Sequence, residues 1–425
     1  MNEKCSKLIL ALAKSAKLNW GLSHAALKTI YTGAILPLLQ YGAPVWISAI
    51  NNVTYKTKLI RVQRLINIRI AKAYRTVSNE ALCIITGLTP IYIKLEETAL
   101  YYHYIKEGMK DEAFIDKDTT FHHWLHPATT MTILTNNNDD NSKIQIFTDG
   151  SKSEQGVGAG IAIYMSGTLI KNLKYRLDSK CTNNQAEQLA ILRSLEYVEK
   201  LQTAEKEATV YTDSQTALDS LKNIKIHTSL IEKIRRKTIQ LEQAAWKIKF
   251  AWVKAHAGTQ GNETADTLAK EAAADMDIAV SYDLIAKSVV KRELERNSVD
   301  KWQRDWNHTT KGSITKAYLP NVTERLKMKL SINRSLTTMM TGHGNIKAYL
   351  HRFKLIDSAT CPCGDNDQTT DHLLYDCKQL QTQRDTLRLT VSKTDSWPAD
   401  QYTLISRHYT AFKKFINQIP LDEIQ

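Results

Sequence analysis

Four acidic residues of this chain fall where a mixed α/β pattern can gather them. Asp149 follows a strand-like alternation over 143–148, Glu187 lies in the first turns of an amphipathic stretch over 182–202, Asp213 follows the apolar run 208–212, and Asp266 sits within 262–274. Carboxylates brought together in this way repel one another and are costly without a cation. Two Mg²⁺ ions about 4 Å apart remove that cost and clamp the attacking and leaving oxygens of an in-line displacement at phosphorus. Hard oxygen ligands suit Mg²⁺, with Mn²⁺ as the alternative. A second chemistry lies downstream, where Cys361, Cys363, His372 and Cys377 have the spacing C-x-C-x8-H-x4-C. Three thiolates and an imidazole suit a closed, four-coordinate Zn²⁺ of structural or nucleic-acid-binding type. His256 stands ten positions before Asp266, in a loop with Gly258 and Gly261, and could move a proton near neutrality.

The elements that must position these side chains follow from periodicity. Strands are expected over 143–148, 156–165 and 168–176, the last two joined by a Ser-Gly turn, then a helix over 182–202 and a short strand over 208–212. Helices over 214–223 and 229–245, a strand over 247–253 and a helix over 262–274 complete a mixed five-stranded sheet with flanking helices, of α/β class. Gly156, Gly158 and Gly160 precede no Gly-Lys-Ser/Thr, so they point to close strand packing and not to a phosphate loop. Upstream, 54–76 reads as a helix with Lys58, Arg61, Arg64, Arg69, Lys72 and Arg75 on one side and Leu59, Val62, Ile66, Ile70 and Ala73 on the other. A solvated surface and a phosphate-tracking face both fit that stripe. Downstream, 276–355 is helical in pattern, and Trp302 and Trp306, four apart, read as core. The stretch Thr129 to Ser142, with its Asn-rich run at 136–141, reads as a linker.

A length of 425 residues is ample for real cores, with a prior of about three domains. Hydrophobic residues at 43% and charged ones at 24% exclude wholesale disorder and a fibrous repeat. The net charge of +13 points to a polyanionic partner, nucleic acid first. It divides unevenly: +11 in 1–94, −6 in 95–140, +3 in 141–275 and +5 in 276–425. Three of six cysteines share one short window, which fits a metal site in a reducing compartment. The apolar run 8–13 is too short for a signal peptide, and no stretch nears the ~20 apolar residues of a membrane span. An intracellular protein of nucleus or cytoplasm, neither secreted nor membrane-bound, is expected.

The contexts Ile-Phe-Thr-Asp149-Gly-Ser, Thr182-Asn-Asn-Gln-Ala-Glu187, Tyr-Thr-Asp213-Ser-Gln and the stretch from Trp252 through His256 to Asp266 occur in that order. Together they closely resemble type 1 ribonuclease H, over 143–275. The resemblance implies that Asp149, Glu187, Asp213 and Asp266 hold two divalent ions, with cleavage of RNA in an RNA/DNA hybrid to 5′-phosphate and 3′-hydroxyl products. It makes His256 an auxiliary catalytic residue and places Asn184, Gln215, Gly150 and Ser151 against the substrate. Where some members carry a long basic handle, only Lys233, Arg235, Arg236 and Lys237 cluster here.

The flanks add a second resemblance. Leu36-Pro-Leu-Leu-Gln-Tyr-Gly-Ala-Pro-Val-Trp46, Val62-Gln-Arg-Leu65, Ala73-Tyr-Arg-Thr76 and Gly87-Leu-Thr-Pro90 look like the segment after the polymerase palm in non-LTR retrotransposon reverse transcriptases. Leu336-Thr-Thr-Met-Met-Thr-Gly-His-Gly344 and Asp371-His-Leu-Leu-Tyr-Asp-Cys377 look like the tail of the same class. The only Asp-Asp pair, Asp139-Asp140, lies in the Asn-rich run, so polymerase activity is not expected. The expected order is a helical post-palm remnant (1–95), a linker region (96–140), a ribonuclease H domain (141–276), a helical region (277–355), and a zinc-knuckle-like module with C-terminal helices (356–425). Element RNA and other parts of a polyprotein are the implied partners. The alternatives are an inactive, domesticated nucleic-acid-binding protein and a DNA-strand-transfer enzyme of the same general fold.

Overall fold

The computed structural model describes residues 7–9, 22–107, 115–118, 128, 131–134 and 142–421. Cys5, most of the apolar run 8–13, and the Asn-rich run with Asp139-Asp140 lie outside the described residues. Two compact units are present, one within 104–293 and the other built from 1–103 and 294–425.

The first unit is a seven-stranded mixed sheet. Its strands are β1 (Ile133–Leu134), β2 (Ile144–Lys152), β3 (Val157–Met165), β4 (Thr168–Leu177), β5 (Glu207–Thr212), β6 (Lys247–Trp252) and β7 (Val280–Tyr282), in the order β1-β6-β5-β2-β3-β4-β7. The five expected strands are all there, and the two edge strands are additions. With two and three residues they carry too little alternation to be read from sequence. One of them, β1, lies in the stretch read as a linker and pairs in parallel with β6. The β3–β4 turn places Ser166 and Gly167 at φ 49° and 81°, the paired left-handed conformations that match strand twist in a two-residue hairpin.

Helices α1 (Asn183–Lys200), α2 (Gln215–Lys222) and α3 (Ser229–Gln243) share a core with one face of the sheet, through Ile144, Ile146, Leu189, Leu195 and Ile234. Helix α4 (Gln260–Ala274) covers the other face, with Ala265 against the cluster of Phe147, Tyr211 and Val253. The glycines of β3 explain how closely α4 approaches. A Cβ at Gly156, Gly158 or Gly160 would lie 2.5, 2.3 or 2.2 Å from the backbone oxygen of Ala273, Ala269 or Ala265. Two residues of strand advance about 6.6 Å and four residues of helix about 6.0 Å, so the two repeats stay in step. Gly160→Ala is therefore expected to displace the α4 turn that carries Asp266. It should cost about 1–3 kcal/mol of stability, read by urea unfolding, and lower activity with it.

The unit extends beyond the expected 141–276. Asp116 is buried, and its carboxylate accepts hydrogen bonds from the Ser229 backbone N–H (3.1 Å), the Tyr282 hydroxyl (3.1 Å) and the Gln185 side chain (3.4 Å). Burial raises its pKa even so.

In the second unit, segments expected to be separate share one core: Ile84, Ile85 and Ile93 belong to the same cluster as Trp302, Trp306, Tyr318, Phe412 and Phe415. Trp306 also donates its ring N–H to the Leu319 carbonyl (2.9 Å). The basic helix spans Val53–Ala71, started by Asn52 and stopped by Lys72 at φ 49°. Leu59, Val62, Ile66 and Ile70 are buried as expected, but Lys72 and Arg75 lie beyond the helix and leave the stripe. Among the described residues no single helix is long and apolar enough to cross a membrane.

Candidate active site

Strand register brings the first two acids together. β2 and β5 run parallel with Thr148 beside Thr212, so Asp149 and Asp213 follow side by side where that pairing ends. Asp149 does not end its strand, because β2 continues to Lys152 against β3, with Asp149 opposite Gly160. Alternation then separates two neighbours. Asp149 shares the α4 face with Phe147, whereas a Cβ on Gly150 would lie 2.6 Å from the Glu187 backbone nitrogen on α1. Only glycine permits that approach.

Glu187 is fixed by the start of its helix. Thr182 and Gln185 form a reciprocal capping box: the Thr182 hydroxyl accepts from the Gln185 N–H (3.2 Å), and the Gln185 side chain accepts from the Thr182 N–H (3.0 Å). Two residues later Glu187 projects toward the sheet end. Ligand oxygens of Asp149, Glu187 and Asp213 all lie within 4.8 Å of one another. Asp266, in the second turn of α4, reaches the Asp149 carboxyl and also pairs with Lys270 one turn on (2.7 Å).

The electrostatics follow from crowding. Burial first, then the charges of Asp213 and Asp266, push Asp149 up to about 7. Burial, then Asp149 and Asp213, raise Glu187 well above the carboxylate range. The Gly150 N–H opposes both shifts by favouring the ionised forms. One Glu187 oxygen, Oε2, is buried without a hydrogen-bond partner, while Oε1 accepts from Asn183 (3.5 Å). Clustered carboxylates and an orphaned oxygen are the donor set that hard divalent ions complete.

The other expected residues are distributed around this group. Asn184 lies in the first turn of α1, its Oδ1 buried and without a partner. Gln215 opens α2 and is exposed, and Ser151 is half-buried on β2. Gly150, expected against the substrate, is buried, and its N–H faces the two acids. His256 lies outside the acidic group, exposed in the loop between β6 and α4 at φ 51°. Of the short basic cluster, Arg235 is wholly buried and donates to the carbonyls of Ser220, Leu221, Asn223 and Ile226, so it clamps a loop. Two neighbours of the site were not singled out from sequence: Lys270, legible as an i,i+4 partner of Asp266, and Trp252, whose ring N–H donates to the Asp213 carbonyl (3.0 Å). Trp252 opens the last of the four motifs in the sequence, but its contact with Asp213 joins residues 39 positions apart.

The ribonuclease H family profile matches residues 141–274. The ribonuclease H of Francisella philomiragia is 30% identical over 142 residues, covering 31% of this chain and 90% of that protein. The chain belongs to the ribonuclease H family. The chain is also similar to Pol polyproteins of type-1 retrotransposable elements. The Pol polyprotein from type-1 retrotransposable element R1 of Popillia japonica is 28% identical over 189 residues, 44% of this chain and 73% of that protein. That of element R1 4 of Nasonia vitripennis is 35% identical over 104 residues, 24% of this chain. The chain spans about a quarter (26%) of the Nasonia polyprotein's length.

The Cys/His group lies in the other unit. Ligand atoms of Cys361, Cys363, His372 and Cys377 lie within 4.8 Å of one another. Cys361 Sγ and Cys377 Sγ are 3.8 Å apart, and Cys363 Sγ is 3.2 Å from His372 Nε2. Tetrahedral Zn–S bonds of about 2.3 Å place two sulfurs about 3.8 Å apart, so the cage has the size zinc requires. The Asp365 backbone N–H, above other causes, lowers Cys363 to about 6, which favours the thiolate a metal binds.

Proposed function

We propose that this chain is a divalent-metal-dependent endonuclease that cuts the RNA strand of RNA/DNA hybrids, leaving 5′-phosphates, within a retroelement polyprotein. The observation that carries this reading is the convergence of Asp149, Glu187 and Asp213 within 4.8 Å, with Asp266 against Asp149. Asp149, Glu187, Asp213 and Asp266 would hold two Mg²⁺ ions. When bound, the ions neutralise the carboxylates, lower the pKa of water and stabilise charge on the leaving oxygen. The residues do the rest. Glu187 faces the ribose 2′-hydroxyl that distinguishes RNA from DNA. Asn184 and Gln215 contact the hybrid across its minor groove, with Gly150 and Ser151 also against the substrate. Lys270 pairs with Asp266 and offsets its charge beside the other acids. His256 moves a proton or helps product leave from its exposed loop.

Incubating the full chain with end-labelled hybrid and Mg²⁺ tests this reading. RNA-strand cuts are expected, and cutting of the DNA strand overturns it. His256→Ala is expected to slow steady-state turnover roughly 100-fold without abolishing it, the weak end of general acid–base contributions. Comparing single-turnover with steady-state rates separates proton transfer from product release.

The Cys361–Cys363–His372–Cys377 cage holds a structural Zn²⁺. Electrostatic hold on nucleic acid comes chiefly from outside the nearly balanced nuclease unit, in part from Lys58 and Arg61 on the Val53–Ala71 helix. Removing residues 1–94 would dismantle the core they share with 294–425, so point changes are the proper probe. Lys58→Ala with Arg61→Ala is expected to lower the log–log salt slope of duplex binding by up to about 1.8.

A further inference from the structure

The second unit contains a cavity of about 650 Å³ whose walls come from 76–81, 310–315, 341–353 and 369–370. That volume lies within the range of small-ligand sites and is far beyond the need of a lone ion. Three rings line it in sequence. His343 and Tyr349 have centroids 4.6 Å apart, and Tyr349 and Phe353 4.9 Å apart. The Tyr349 hydroxyl is buried without a hydrogen-bond partner, while His343 is tethered through Nδ1 to the Thr76 hydroxyl (2.9 Å). The charged lining residues are Lys311 and Arg352, both exposed, and among the described residues no carboxylate lines the space. Lys311 has an acidic neighbour outside the lining, Glu80 at 3.7 Å, a solvated pair that costs little to break.

Aromatic walls, an unsatisfied hydroxyl and two exposed cations match the base and the phosphate of one nucleotide. Rings stack on a base, the hydroxyl bonds its edge, and cations meet phosphate. A base inside a duplex cannot enter, because it is stacked and paired. We propose that this cavity captures an unpaired nucleotide of a single-stranded nucleic acid, its base against His343, Tyr349 and Phe353 and its phosphate between Lys311 and Arg352. The site lies in a different unit from the carboxylates and stands independently of the nuclease reading.

The test uses the full chain in zinc-containing, Mg²⁺-free buffer and follows the anisotropy of labelled 15-nucleotide RNA, DNA of the same sequence, and the blunt DNA duplex. Phe353 is 52% exposed, so Phe353→Ala leaves the core intact, and an unchanged unfolding midpoint checks this. Phe353→Ala is expected to weaken single-strand binding about 5- to 150-fold, the range for loss of one stacked base, with duplex affinity held within about twofold. Lys311→Gln with Arg352→Gln is expected to lower the single-strand salt slope by about 1.4. Equal losses for RNA and DNA support a site that reads base and phosphate, and a loss confined to RNA supports one that also reads the 2′-hydroxyl. Unchanged single-strand affinity in these variants, or an equal loss for duplex, overturns the proposal.

Discussion

Asp149→Asn is expected to leave the fold intact and to lower Mg²⁺-dependent cleavage of the RNA strand by at least about 10³-fold. Asp149 touches every other member of the acidic group electrostatically, so its loss would remove the carboxylate at the centre of the group proposed to hold the ions, and with it several kcal/mol of transition-state stabilisation. The same substitution has an opposite effect on stability. In Mg²⁺-free buffer Asp149 has a folded pKa of about 7, against an unfolded value near 3.9. Between those values the folded state binds more protons than the unfolded state. The parent chain therefore loses stability as pH rises from about 4 through 7, and Glu187 acts in the same direction. A neutral amide at this position carries no such penalty, so the variant should be more stable than the parent at pH 7 by up to about 4 kcal/mol without Mg²⁺. Saturating Mg²⁺ should erase that advantage. Thermal unfolding at pH 5 and pH 7, with and without Mg²⁺, reads the effect beside a hybrid-cleavage assay. Cleavage by the variant at the parent's rate would remove the carboxylate-centred mechanism.

Stripping zinc from the Cys361–Cys363–His372–Cys377 cage, or Cys377→Ser, is expected to destabilise its unit by more than about 4 kcal/mol, beyond an ordinary point substitution. Cys361 and Cys377 are core residues as well as ligands: both lie in the cluster with Leu373, Leu374, Leu380 and Phe415. Without the ion, thiols 3.8 Å apart and the His372 Nδ1, already buried without a partner, would remain in an apolar interior. Structural zinc gives its binding free energy to folding, about 10–16 kcal/mol in small finger peptides, and a unit with a core of its own needs only part of that. Native mass spectrometry should find one zinc per chain. Chelator should lower the unfolding midpoint of this unit while leaving that of the ribonuclease H unit in place. An absence of bound zinc, or an unmoved midpoint after both treatments, would refute the cage.

The two candidate metal sites are encoded differently. The cysteine cage is local: all four ligands fall within 17 residues, so spacing alone reveals it. The carboxylate group is spread over 118 positions, and only motif contexts tie its members together in sequence. Asp149 and Asp213 were legible as ends of apolar runs, but their adjacency depends on parallel pairing of β2 with β5, a long-range choice. The basic stripe was legible up to Ala71 and misjudged at Lys72 and Arg75. A left-handed turn at Lys72 ends the helix there, with no glycine or proline to announce it.

By itself, the amino-acid sequence determined the five main strands, the four acids, the cysteine cage and the tight approach of β3 to its neighbours. Each of these rests on short-range periodicity, turn chemistry or ligand spacing. Tertiary structure alone decided that the Gly150 N–H faces the acids, that Arg235 is a buried clamp, and that α4 sits on Gly156, Gly158 and Gly160 with Asp266 against Asp149. It also decided that chain segments roughly 200 residues apart close one core around Trp302 and Trp306, a cavity with aromatic walls included. Burial and opposition across elements are properties of pairs distant in sequence, and no local pattern specifies the partner.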